Sequence, residues 1–190
     1  SSVPADTIVG QMRPTSFRES WAFDVEKVAV NAVMAGARPA HLPVILAMAA
    51  SGVSARSSST TSWAMLAMVN GPIRGELDMN SGVGALGPYN EANAVIGRAY
   101  ALTSQNVQGG SVVGDTYMGS VGNNWNYTAC WAEAEERSPW SPFHVDKGFK
   151  PGDSVVSLFF GGWYTESGFG PRETWKDKFI RCLTATDHFS

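Results

Sequence analysis

Two stretches of this chain concentrate the residue types that chemistry needs. The first is residues 80–90, NSGVGALGPYN, set just before a helical segment. Gly82, Gly84 and Gly87 satisfy the dinucleotide spacing GxGxxG, but the surroundings do not. That fingerprint follows a strand directly and opens its helix in the same turn. Here about a dozen residues separate the expected strand from Gly82, and Pro88 and Tyr89 separate Gly87 from the helix. What remains is a helix N-terminus, whose free N–H groups and positive dipole end attract a carboxylate, phosphate or oxyanion. The expected substrate-binding residues are Asn80, Ser81, Gly82, Tyr89, Asn90 and Asn93. Arg98, two turns along the helix, is placed to pair with a substrate carboxylate or with Glu133. The plain alternative is a backbone turn that needs several positive-φ positions.

The second stretch is residues 130–144, CWAEAEERSPWSPFH. Glu133 falls near the end of a strand, where α/β sites gather, and suits general acid or base work. His144 follows two prolines that stiffen its loop, and is the natural proton shuttle. Glu133 and His144 are the expected catalytic pair, sharing one pocket with residues 80–93 at the edge where strand ends and helix starts meet. The plain alternative is a salt-bridged surface loop in which Glu135 and Glu136 face water. No metal site is assigned, because the three histidines at 41, 144 and 188 show no HxH, HxxxH or CxxC context. His41 reads as a cap or surface residue. Cys130, mid-strand among apolar neighbours, reads as buried and inert, and Cys182 as packing. No GxSxG elbow and no cofactor motif occurs, so the cofactor is left unknown.

The elements that must position these groups follow from periodicity. Residues 1–23 read as an N-terminal arm, whose Phe17, Trp21 and Phe23 would pack on a partner subunit. Residues 24–190 read as one α/β domain. Asp24 is an N-cap for a helix striped by Val25, Val28, Ala29, Ala32 and Val33, ended by Gly36 and Pro39. A second helix is expected over about 40–50. Residues 63–69, 127–133 and 154–160 read as short buried strands. Helices follow over 91–103, striped by Ala92, Val95, Ile96, Ala99 and Tyr100, and over 172–183. Residues 70–90, 104–126 and 134–153 are long loops rich in Gly, Pro, Ser or Asn. Short strands alternating with helices make the fold class α/β.

Composition narrows the function. A net charge of −3 with 14 scattered basic residues argues against nucleic acid as a partner. No apolar run reaches a membrane span, and no signal peptide is expected, so cytoplasm is the default location. Only 16% of residues are charged, and seven Trp and nine Phe accompany them. Such a surface points to an oligomer, since charged residues are depleted in interface cores.

Three phrases carry a family resemblance: VEKVAVNAVMAGARP at 25–39, VNGPIRGELDMNSGVGALGPYNEANAVIGRA at 69–99, and AEAEERSPWSPFHVDKGFKPGDSVVSLF at 132–159. In this order they resemble the C-terminal region of the bacterial proteins named for a U-G-S-C motif, in which U is selenocysteine or its cysteine replacement. The resemblance covers about two thirds of the chain. It implies thiol or selenol chemistry on a small molecule. This chain has no UGSC or CGSC tetrapeptide, and MAGARP stands where the family often has MAGCRP. The resemblance thus implies a half-protein, an enzyme subunit beside a companion carrying the Cys or Sec motif, in thiol-dependent redox or lyase work. The alternatives are a self-sufficient hydrolase, lyase or hydratase, metal-assisted through His144 and carboxylates, and a non-catalytic binding or scaffolding subunit.

Overall fold

Asp24 closes a strand and opens a helix. In the computed structural model, which describes residues 3–11, 22–53, 66–107, 130–159 and 176, its carboxylate accepts the Lys27 amide N–H at 2.9 Å. This N-cap starts α1 (Val25–Met34). The Lys27 ammonium, 2.8 Å away, donates to the same carboxylate and holds Asp24 below the usual range. Gly36, at φ +92°, ends the helix in the left-handed region that glycine tolerates.

The inner face of α1 differs from the expected stripe. Val25, Val28 and Ala32 are buried, but Asn31 joins them and Val33 is 71% exposed. Asn31 turns inward because it is fully used there. Its amide donates to Lys27 O at 2.7 Å, and its oxygen accepts from Asn106 at 2.6 Å. The second helix also starts later than expected. Pro39–His41 forms a 3-10 turn, and α2 runs over Leu42–Ala50. His41 Nδ1 accepts the Arg38 N–H at 3.2 Å, so the residue does cap, but it is buried rather than on the surface.

The N-terminal arm contains structure. β1 (Ile8–Gln11) and β2 (Ala22–Asp24) form an antiparallel pair. Phe23 is fully buried in this chain's own core, so that aromatic needs no partner subunit to cover it. Phe17 and Trp21 lie outside the described residues.

The main sheet has the order β4-β3-β5. β3 (Leu66–Asn70) is central. β4 (Cys130–Ala132) runs parallel to it and β5 (Val155–Phe159) antiparallel. β5 was expected to be buried but is half-buried throughout, as an edge position allows. α4 (Glu91–Val107) packs against α1, α2 and β4. Being flanked on several sides, it buries Asn93, Gly97, Thr103 and Ser104 beyond the expected stripe. Val28, Ile45, Met48, Ile96 and Tyr100 centre the core. Each such side chain contributes about 1.5–3 kcal/mol by leaving water. Two helices of four residues, α3 (Ile73–Glu76) and α5 (Phe143–Asp146), interrupt the expected loops. They are too short to show a period. The expected helix over 172–183 lies outside the described residues, save Lys176, which is helical. No described helix is long and apolar enough to cross a membrane.

Candidate functional site

The strand register brings the site together. Val69 of β3 lies opposite Ala132 of β4, so Asn70 and Glu133 leave the sheet side by side. The Glu133 N–H donates to Val69 O at 3.0 Å. Asn70 is fully buried, and its amide nitrogen donates to Glu133 Oε2 and, at 2.9 Å, to Glu135 Oε1. Gly71 adds its N–H to the same Glu135 oxygen at 2.8 Å. It can do so because its φ is +83° and its α-carbon abuts Asp153, where a Cβ would lie 2.0 Å from the carbonyl oxygen. Asn-Gly-Pro therefore ends the strand in a turn that only glycine fits. α3 follows and supplies Arg74. Its Nη2 pairs with Glu135 Oε2 at 2.8 Å and its Nη1 donates to the Glu133 carbonyl at 2.7 Å. Burial alone would lower the Arg74 pKa, but the Glu136 hydrogen bond and the charges of Glu135, Glu136 and Glu133 outweigh it and raise it.

Glu135 is thus gripped by Asn70, Gly71 and Arg74, and Glu133 by Asn70 and by the Phe143 N–H at 2.9 Å. Phe143 opens α5, and its ring packs on Phe159 of β5 with centroids 5.4 Å apart. That contact fixes the helix carrying His144. The His144 side chain is fully buried, and its Nδ1 lies 3.9 Å from Glu135 Oε1, beyond hydrogen-bond range. Among the described residues neither ring nitrogen has a partner, and neither does Asn70 Oδ1. Orphaned buried polar atoms cost about 1–3 kcal/mol each, and native folds leave few of them without a ligand or water. A buried imidazole beside a locked carboxylate can take or give a proton once a group with an exchangeable hydrogen reaches it.

The asparagine-rich stretch is built differently. Asn93 is fully buried; its oxygen accepts the Asn80 N–H at 3.2 Å, and its amide donates to Asn80 O at 2.8 Å and Ala85 O at 3.0 Å. Asn80 accepts from Gly82 N–H at 2.8 Å and donates to Val83 O at 2.9 Å. Asn90 caps α4 by accepting the Asn93 N–H at 2.9 Å, and donates to Asp78 O at 2.8 Å. All three side chains both accept from and donate to nearby backbone. The Ala132 N–H donates to Asn80 O at 3.3 Å, which stitches this clasp to β4 one residue before Glu133. The stretch and Glu133 are therefore neighbours.

The expected roles in this stretch change accordingly. Asn80, Asn90 and Asn93 shape backbone rather than offer free amides to a ligand. The N–H groups expected to hold an anion are partly taken by Asn90, and Glu91 places a carboxylate in the same turn, paired with Arg38 at 2.9 Å. Tyr89 is 88% exposed, while Ser81 and Gly82 are half-buried. Gly82 lies near Arg137, whose Nη1 would be 3.7 Å from a Cβ there. Arg98 is exposed on α4, and Arg74 donates to the backbone carbonyl of Glu133.

No protein-family model, curated protein or solved structure matches this chain. Its chemistry has to be read from the site itself. Among the described residues no group of three or more His, Cys, Asp or Glu is arranged to hold a metal ion. Cys130 is fully buried, and burial pushes its thiol up to about 12, so it offers no thiolate near neutral pH. Cys182 lies outside the described residues. Asn70, Arg74 and Glu135 stand in the cluster beyond the residues expected there. The surface-loop alternative has both Glu135 and Glu136 facing water, and only Glu136 does, the two side chains being 12% and 72% exposed respectively. Glu136 is held below the usual carboxylate range by the Arg74 hydrogen bond. Asn70 carried a usable signal, being a polar residue at the C-terminal end of a buried strand.

Proposed function

We propose that this chain is an enzyme subunit that moves a proton on a small-molecule substrate at the Glu133–Glu135–His144 cluster. One observation carries the proposal: His144 is fully buried with both ring nitrogens unpartnered, beside a carboxylate fixed by three donors. A histidine kept for packing alone would gain by finding a partner. Here Glu135 fixes the local charge, Glu133 and Asn70 position the edge of the site, and His144 exchanges the proton. The asparagine clasp is the frame that holds β4 and the start of α4 in place.

The companion chain with a Cys or Sec motif belongs to the same proposal. Its support is the resemblance to the UGSC proteins and the unsuitability of Cys130 as a thiolate. Exposed Val30, Val33 and Met34 on one face of α1 agree with an assembled state. A self-sufficient hydrolase or lyase is the second reading, favoured because every group of the cluster comes from one chain.

The test uses the small-molecule fraction of the source cells, incubated with the protein and followed by mass spectrometry. Wild-type protein, with or without co-purified partner, should consume one compound and release another. Glu133→Gln should slow this at least 10-fold and His144→Leu at least 100-fold, the range of general acid–base catalysis. Turnover by purified chain alone favours the second reading, and full activity in His144→Leu refutes both.

A further inference from the structure

The three orphaned atoms specify more than a proton path. Both hydrogens of the Asn70 amide are committed to carboxylates, one on Glu133 and one on Glu135. Flipping the amide would set its carbonyl oxygen against two negative charges. The orientation is therefore fixed by electrostatics, and Oδ1 must be the atom left over. A carbonyl oxygen only accepts, so whatever meets it must bring an N–H or O–H.

His144 sets the second condition. In its neutral form an imidazole has one N–H that needs an acceptor and one bare nitrogen that needs a donor, and both His144 nitrogens are buried without a partner among the described residues. Asn70 and His144 flank one carboxylate oxygen, Glu135 Oε1, which lies 2.9 Å from the Asn70 amide nitrogen and 3.9 Å from His144 Nδ1. A carboxylate or phosphate fails here, because it offers no hydrogen to Asn70 and adds negative charge beside Glu133 and Glu135. An ammonium fails as well, because it only donates and leaves the imidazole N–H alone. A hydroxyl or a primary carboxamide does both jobs.

We infer that Asn70 Oδ1 and His144 bind the uncharged, hydrogen-donating end of the substrate, a hydroxyl or carboxamide, and that they reject carboxylates. This deepens the proton-transfer reading and rests on the same cluster. It assigns Asn70 as a substrate-binding residue and replaces the anion expected from the helix N-terminus with a neutral group.

Acetamide and acetate, equal in shape and different in charge and donors, make the test. The full chain is labelled with 15N, and the ring nitrogens of His144 are followed at pH 7 during titration with each. Acetamide should shift them saturably, while acetate at the same concentration should leave them within error. Asn70→Ala should weaken acetamide at least tenfold. If that variant does not fold, the contrast between the two probes in wild-type protein decides alone. Acetate moving the His144 signals as strongly as acetamide overturns the inference, and so does a titration in which neither moves them. Acetamide binding in a protein that turns over no compound supports the inference and refutes the proton-transfer reading.

Discussion

Two polar clusters lie on either side of Ala132, and they are built to different rules. In the clasp of Asn80, Asn90 and Asn93, each side chain both accepts and donates, and each partner is backbone of residues 78–93. In the cluster of Asn70, Glu133, Glu135 and His144, the carboxylates are gripped while an amide oxygen and a whole imidazole are left unserved. A saturated buried network rigidifies a fold, and an unsaturated one costs stability. The clasp is thus read as architecture, and the cluster as the place where the protein keeps capacity for something else.

Substitutions can break this comparison. The largest effect is expected at Gly71, whose φ and contact with Asp153 leave no room for a methyl group. Gly71→Ala should cost about 4 kcal/mol or abolish folding, measured by urea unfolding. Asn93→Ala comes next. It removes the partner of the Asn80 N–H and of the Ala85 carbonyl in one step, and one of two donors to the Asn80 carbonyl, and should cost about 3 kcal/mol. It should affect turnover through stability alone.

Cys130 gives a pH-dependent test. Its folded-state pKa is raised from 9.0 to about 12, so its contribution is fully present below pH 9 and is lost as pH climbs toward 12. Wild-type protein should lose about 1 kcal/mol more than Cys130→Val between pH 9 and pH 10, close to the value of one pKa unit. Parallel unfolding curves at the two pH values check this. The smallest stability effect is expected at His144. His144→Leu removes orphaned polar atoms at similar volume and should change stability by less than about 1 kcal/mol, in either direction. A loss of 3 kcal/mol there would make His144 architecture too and erase the distinction between the clusters.

Local signals in the sequence located much of the frame. Asp24 as N-cap, Gly36 as helix stop and the stripe from Ala92 to Tyr100 all depend on neighbours within a few residues. Glu133 beside the 80–93 stretch was also legible, since strand ends and helix starts share an edge in α/β folds. What stayed hidden depends on pairings distant in sequence. Asn31 is buried because Asn106 meets it, and Glu135 is half-buried because Asn70, Gly71 and Arg74 reach it across about 60 residues. The bonding partners of the asparagines stayed hidden for the same reason. Composition marks a stretch as polar, but only the fold reveals whether its donors are already used.

The account stands on the unserved state of His144 and Asn70. A high-resolution crystal structure of the protein, collected without added ligand, measures it directly. Density for a solvent or ligand atom is expected at about 2.6–3.2 Å from a His144 ring nitrogen or from Asn70 Oδ1, with the backbone hydrogen bonds of Asn80, Asn90 and Asn93 in place. Protein partners on both His144 nitrogens and on Asn70 Oδ1 would contradict it, because the cluster would then be as saturated as the clasp.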